Sequence, residues 1–309
     1  MADVTITEGT FRLPDGAEVY QKTWSPTTTP PLAKLVHFHG FSDHINNYFD
    51  LFPALARHGI HCAGIDQRGW GRSVHRKADR GNTGPTPAIL ADMAAFITAQ
   101  QQQVAPTDIP VFISGHSMGG GLVATLASTP QYQPLVASLR GIMLEAPYIG
   151  LTPEQTPSSL LVFTGRLAGR LLPHFQLTQK MAIENLVRDP AVQAQVKNDP
   201  LNHLTGTLEM FANMLDRAAA LTAGTLVLSP GVQSVLVVHG TGDQCTSHDL
   251  SKRWFDQQTA RVPATQKKFV SYEGWSHILH ADLPENRQRY ADDLAGWVLE
   301  RAQEKSVRL

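Results

Sequence analysis

Six short apolar runs divide the sequence: KLVHFH at Lys34 to His39, HCAGID at His61 to Asp66, VFIS at Val111 to Ser114, GIMLEA at Gly141 to Ala146, SVLVVHG at Ser234 to Gly240 and KKFVSY at Lys267 to Tyr272. Runs this apolar have no polar face to show to water, so a sheet built from them needs cover on both sides. The intervening segments supply it. Tyr48, Leu51, Phe52 and Leu55 repeat at helical spacing, as do Ile89, Met93, Phe96 and Ile97, and again Tyr290, Leu294, Trp297 and Val298. Strand alternating with helix predicts a mainly parallel sheet flanked by helices. Ahead of it, ITEGTFRLPDGAEVYQKTW has the pattern of a hairpin turning at Pro14 to Gly16, which adds an antiparallel edge. Between Leu151 and Gly231 the rhythm breaks into three helical stretches, with no strand before TLVLS at Thr225 to Ser229. This predicts one core domain, residues 1–150 and 232–309, with a helical cap inserted over residues 151–231.

A chain of 309 residues, 42% of them hydrophobic, can bury a core of that size. Lys and Arg number 26 against 27 Asp and Glu, a net charge of −1, which offers no attraction to nucleic acid. A neutral small molecule is the expected partner. Cys62 and Cys245 are the only cysteines, and no run reaches the roughly 18 apolar residues that span a bilayer, so a reducing, cytoplasmic setting is expected. The terminal tripeptide Val307, Arg308, Leu309 loosely resembles a peroxisomal signal, with valine in place of the small first residue. His37 and His39 alternate on a strand with no cysteine or acidic partner at ligand spacing, and no dinucleotide fingerprint follows the first parallel strand. Neither a metal nor a cofactor is expected.

Chemistry is signalled by GHSMGGG, Gly115 to Gly121, directly after VFIS. Glycines two before and two after a serine indicate a turn too tight for side chains on its flanks, one that lifts the serine hydroxyl above a sheet edge. A hydroxyl is a weak nucleophile and needs a histidine to take its proton and a carboxylate to orient that histidine. Asp243 follows SVLVVHG and His277 follows KKFVSYEGWS, each beyond the end of a predicted strand. The order Ser117, Asp243, His277 is that of an α/β-hydrolase fold, with Ser117 as nucleophile, His277 as base and Asp243 as its orienting acid. Attack on an ester generates an oxyanion, for which the expected donors are the backbone N–H groups of Met118, after the nucleophile, and Phe41, in the loop HGFSDH. His39 and His116 are expected to support the loop and the turn. Asp66, which precedes the serine, reads as a loop-organising carboxylate.

HG at His39 and Gly40, DQRGWGRS at Asp66 to Ser73, GHSMGGG, NDPL at Asn198 to Leu201, GTGD at Gly240 to Asp243 and YEGWSHILHADLPE at Tyr272 to Glu285 together resemble the monoacylglycerol lipases, from Phe38 to Glu285. The resemblance implies a serine hydrolase that cleaves the fatty acyl ester of monoacylglycerols to glycerol and free fatty acid, without a cofactor, under a helical cap. It also implies that His280 contacts the glycerol hydroxyls, against the alternative of a histidine packed on the final helix. Mammalian members carry a glutamate in the oxyanion loop and an arginine four residues later; this chain has Asp43 and Asn47 there. The altered headgroup network keeps a carboxylesterase or lysophospholipase acting on other small esters as an alternative. A non-catalytic binding protein of hydrolase fold is the alternative of a different class. A missing triad member would betray it, and all three are present.

In the cap, SSLLVFTGRLAGRLLPHF is more apolar than one buried helix face requires. Leu161 and Leu167 are expected to touch the acyl chain. The same stripe, with Arg166 and Arg170 four residues apart, is also the expected site of transient contact with a membrane surface or lipid droplet.

Overall fold

The computed structural model describes residues 4–27, 30–104, 108–156 and 158–304; the terminal tripeptide Val307 to Leu309 lies outside them. Strands β1 (Val4–Arg12) and β2 (Glu18–Pro26) form the hairpin, paired from Val4 opposite Pro26 to Arg12 opposite Glu18. It turns at Gly16, whose φ of 88° is open to glycine at little cost. Then follow β3 (Ala33–Phe38), α1 (Leu51–Arg57), β4 (Ile60–Ile65), α2 (Thr86–Val104), β5 (Val111–His116), α3 (Met118–Ser128), α4 (Gln133–Ala137) and β6 (Gly141–Glu145). Helix α5 (Ser159–Leu171), β7 (Gln176–Thr178), α6 (Pro190–Asn198), β8 (Thr205–Thr207) and α7 (Leu208–Thr222) form the insertion. The chain then returns through β9 (Val235–Gly240), α8 (His248–Gln258), β10 (Lys267–Tyr272) and α9 (Pro284–Gln303).

The eight-stranded sheet runs β1-β2-β4-β3-β5-β6-β9-β10, antiparallel at β1–β2 and β2–β4 and parallel from β4 to β10. Its inner strands bury both faces because their residues alternate between two cores. Val36, Ile113, Leu144 and Val237 face a core closed by α2, α3 and α8, while Leu35, Phe112, Met143 and Leu236 face one closed by α1 and α9. The chain leaves β3 toward β4 on one side and returns to β5 on the other. The carboxyl ends of β3 and β5 therefore border the crevice where this topology places ligands.

Two expectations need correction. Thr225 to Ser229 form no strand: the N–H groups of Thr225 and Leu226 donate to Ala220 O at 3.1 and 3.3 Å, and Ser229 N–H donates to Ala127 O at 2.9 Å. The segment closes the end of α7 and reaches the carboxyl end of α3. The insertion is not purely helical either. Strands β7 and β8 pair antiparallel with Thr178 opposite Thr205. Their sequences, QLT and TGT, are too short to carry an alternation.

Candidate active site

Ser117 has φ 53° and ψ −117°, a conformation that L-residues avoid, and it stands between β5 and α3. The strain is held from both sides. Ser117 N–H donates to Glu145 O and Tyr148 N–H to Ser117 O, both at 2.9 Å. The flanking glycines are required by space: a Cβ on Gly119 would lie 2.1 Å from Phe38 O, and one on Gly115 would lie 2.4 Å from the Gly119 carbonyl. The turn thus presses α3 against the end of β3, where Gly40 packs on Ser117.

Of the three residues expected to work together, Asp243 and His277 are hydrogen bonded and Ser117 shares a cavity with His277. Ser117 and His277 line one cavity of about 590 Å³. His277 Nδ1 donates to Asp243 Oδ2 at 2.7 Å, which leaves Nε2 on the cavity side of the ring. Burial disfavours the charged form of His277, but the Asp243 carboxylate more than offsets it and raises the histidine above its ordinary value of 6.5. Burial also opposes the Asp243 anion. Its bonds to His277 and His239 outweigh that and hold the carboxyl well below its ordinary range. Phe41 and Met118 border the same cavity. Phe41 N–H makes no backbone hydrogen bond among the described residues, and Met118 N–H belongs to the first turn of α3, which has no intrahelical acceptor. His39 is fixed by Gln67 N–H donating to its Nε2 at 2.8 Å, while its Nδ1 donates to Gly40 O at 2.8 Å. Asp66 accepts from Ile45 N–H at 2.8 Å and Arg72 N–H at 2.7 Å, tying the two loops beside the site.

A second polar group lies on the same cavity. Asp43 accepts from Asn47 Nδ2 at 3.0 Å and from the Tyr48 hydroxyl at 3.1 Å, and Asn47 Nδ2 also donates to Asn202 Oδ1 at 3.1 Å. Burial works against the Asp43 anion, but the histidines around it bring its carboxyl down to about 2, so it is charged at neutral pH. Tyr48 stacks on His280 with ring centroids 4.3 Å apart. His280 Nδ1 donates to Glu145 Oε1 at 2.7 Å. Asp43, Asn47, Asn202 and His280 all line the cavity. Glu145, Asn202 and Tyr48 carry no role in the sequence reading. For Glu145 a signal existed, an acidic residue ending the otherwise apolar run GIMLE.

The insertion supplies the apolar wall, including Leu161, Leu208, Phe211, Met214 and Leu215. Leu167 is not part of it. Six residues along a helix rotate the side chain by roughly 240°, so Leu167 lies off the wall, while Leu161, itself 61% exposed, borders it. Arg166 also departs from expectation. It lines the cavity and pairs with Asp216 at 2.5 Å, so its charge is matched by α7.

A family model described as serine aminopeptidase S33, of the hydrolases, matches residues 29–284. A Schizosaccharomyces pombe protein assigned as a monoglyceride lipase is 31% identical over 92% of this chain and 72% of its own length. The chain belongs to the monoacylglycerol lipase family. The human monoglyceride lipase is 25% identical over 93% of this chain and 88% of its own. In fold, this family member superposes on a soluble variant of the Saccharomyces cerevisiae monoglyceride lipase, solved with a substrate analogue, with a TM-score of 0.83 at 20% identity over 96% of both chains.

Cys245 also lines the cavity, and its N–H donates to Asp243 Oδ1 at 2.7 Å. Burial, with Asp243 beside it, pushes the thiol up to about 12, so it stays protonated at neutral pH and reacts slowly. A bulky maleimide is expected to inactivate progressively, faster at pH 9 than at pH 7, by displacing Asp243. Cys245→Ser should protect. Protection by Cys62→Ser, at a fully buried position, would show the reagent to act by unfolding.

Proposed function

We propose that this chain hydrolyses the acyl ester of monoacylglycerols, with Ser117 attacking the carbonyl, His277 taking its proton and passing it to the glycerol oxygen, and Asp243 orienting the imidazole. The N–H groups of Phe41 and Met118 receive the oxyanion, a contribution of about 3 kcal/mol for each donor. Water then repeats the sequence on the acyl-enzyme. The observation that carries this reading is one cavity that holds Ser117 and His277 together with two unlike walls, the polar side chains of the hydrogen-bonded Asp43, Asn47 and Asn202 with His280, and the apolar side chains of α5 and α7. The first suits a polyol and the second an acyl chain. A panel of mono-, di- and triacylglycerols, a lysophospholipid, a short aryl ester and an amino-acid anilide tests it. Monoacylglycerol should lead in kcat/KM by about tenfold or more, a difference of about 1.4 kcal/mol in transition-state binding. A lead for the aryl ester makes the chain a general carboxylesterase, and a lead for the anilide makes it a peptidase.

We further propose that residues 151–231 act as the cap and that its outer face rests on the lipid surface that holds the substrate. No helix among the described residues is long and apolar enough to cross a membrane. Leu160 and Leu171 are each 72% exposed, and Phe163, Leu167, Leu172 and Phe175 are exposed beside them. With Arg166 paired to Asp216, apolar area has to supply most of the attraction. Removing two leucines from such an interface should weaken partitioning by roughly 100-fold. Wild type is therefore expected to float with neutral phosphatidylcholine vesicles, and the Leu167→Asp, Leu171→Asp double variant to remain in solution with its rate on a soluble short ester unchanged. A wild type that hydrolyses vesicle-borne monoacylglycerol without floating rules out docking.

A further inference from the structure

Asp243 is bound by more than His277. Its Oδ1 accepts from Cys245 N–H at 2.7 Å and Thr246 N–H at 3.0 Å, and its Oδ2 accepts from His277 Nδ1 at 2.7 Å, Thr246 Oγ1 at 2.8 Å and His239 Nε2 at 3.0 Å. Two imidazoles therefore share one carboxylate oxygen. His239 is the next-to-last residue of β9, is fully buried and lies off the cavity wall, so it cannot touch substrate. Its protonation follows from its partners. Nε2 faces two acceptors, Asp243 Oδ2 and the Thr246 carbonyl at 3.3 Å, and so carries the hydrogen. Nδ1 is buried with no partner, so a second proton there would be an unpaired buried donor. Burial accordingly lowers the histidine's affinity for that proton, more than Asp243 raises it. The ring acts as a neutral donor.

We propose that His239 is a positioning residue for the ester hydrolysis: by donating to the oxygen that also receives His277 Nδ1, it fixes the triad carboxylate and sets the pH at which His277 takes up a proton. The inference rests on the triad reading above. Each donor on Oδ2 draws off charge that would otherwise stabilise the His277 imidazolium, so the shared oxygen restrains the basicity of His277. With His239 removed, the carboxylate is left to His277 and Thr246. His277 then holds its proton to higher pH, and the acid limb of kcat/KM moves up. The other groups that face this array stay in place: Glu145 and Asp43 act on His277 with His116 beside it, Cys245 flanks Asp243, and the His248 ring meets His239 edge-on at 5.5 Å.

The comparison uses His239→Phe, which fills the space without a donor, and His239→Gln, whose amide nitrogen reaches as far as the imidazole Nε2. In the Phe variant the acid limb should rise by about half to one pH unit, and kcat should fall about tenfold with KM nearly unchanged. The Gln variant should restore both. If the Phe variant does not fold, His239→Asn replaces it, because its amide is too short to reach Oδ2. A folded donor-less variant with an unmoved acid limb overturns the proposal, as does a Gln variant no better than Phe. The low-field resonance of the His277 Nδ1 proton, followed in Ser117→Ala protein, reads the same coupling without turnover: it should shift in the Phe variant and return with Gln. Should Ser117→Ala keep wild-type activity, the triad reading fails, whatever His239 does.

Discussion

Replacing Ser117 with alanine will leave a folded protein whose kcat is lower by about 10⁶-fold and which no longer labels with a fluorophosphonate. The size of the loss follows from removing the group proposed to form the acyl-enzyme. What survives is the contribution of the oxyanion donors and of binding, on the order of 10³-fold over water. Folding should be untouched, because the strained φ of 53° is imposed by the backbone bonds to Glu145 and Tyr148, and alanine accepts it on the same terms as serine. An equal melting temperature with no turnover is the expected pair of results. Labelling of the alanine variant at the wild-type rate would place the nucleophile elsewhere.

Asp243→Asn is the next largest, about 10⁴-fold in kcat. The N–H groups of Cys245 and Thr246 both point at Oδ1 and will select the oxygen of an asparagine amide. That choice puts the amide NH₂ where Oδ2 stood, facing the three donors His277 Nδ1, His239 Nε2 and Thr246 Oγ1. His277 can relieve the clash only by moving its hydrogen to Nε2, the nitrogen that has to accept the serine proton. Steady-state kinetics together with the Nδ1 proton resonance check both halves: the rate falls and the low-field signal vanishes. A variant that keeps more than about a tenth of the wild-type rate would mean another acid orients the base. Glu145, bound to His280 at 2.7 Å, would then be the candidate.

The sheet, its order along the chain and the places where chemistry would gather were legible because they depend on local patterns. Runs such as SVLVVHG and GIMLEA fill both faces of a strand, and β9 and β6 lie within a residue or two of those runs. The glycines of GHSMGGG are explained by close backbone approach, of Gly119 to the end of β3, of Gly115 to the turn itself and of Gly120 and Gly121 to Pro147 and Tyr148. Ser117, Asp243 and His277 each follow a strand, and parallel strands in one sheet point their carboxyl ends the same way. Their order in sequence was thus enough to bring them to one edge.

Which side chains turn toward one another was decided by tertiary packing. Leu161 and Leu167 look alike in the sequence and both are exposed, yet with α5 packed on α7 through Gly169 only Leu161 borders the cavity. Arg166 and Arg170 look like a basic pair until Asp216 of α7 matches the charge of one of them. The strands β7 and β8 exist because the insertion folds back on itself, since three residues carry no period to read. Glu145 and His239 stand at strand ends as ordinarily as their neighbours do; the register of β6 in the sheet sets Glu145 beside His280, while His239 meets Asp243 through the turn that follows β9. Backbone sterics and burial periodicity act over a few residues and are written locally. A hydrogen bond between residues 135 apart, such as that from His280 to Glu145, depends on every strand between them being in place.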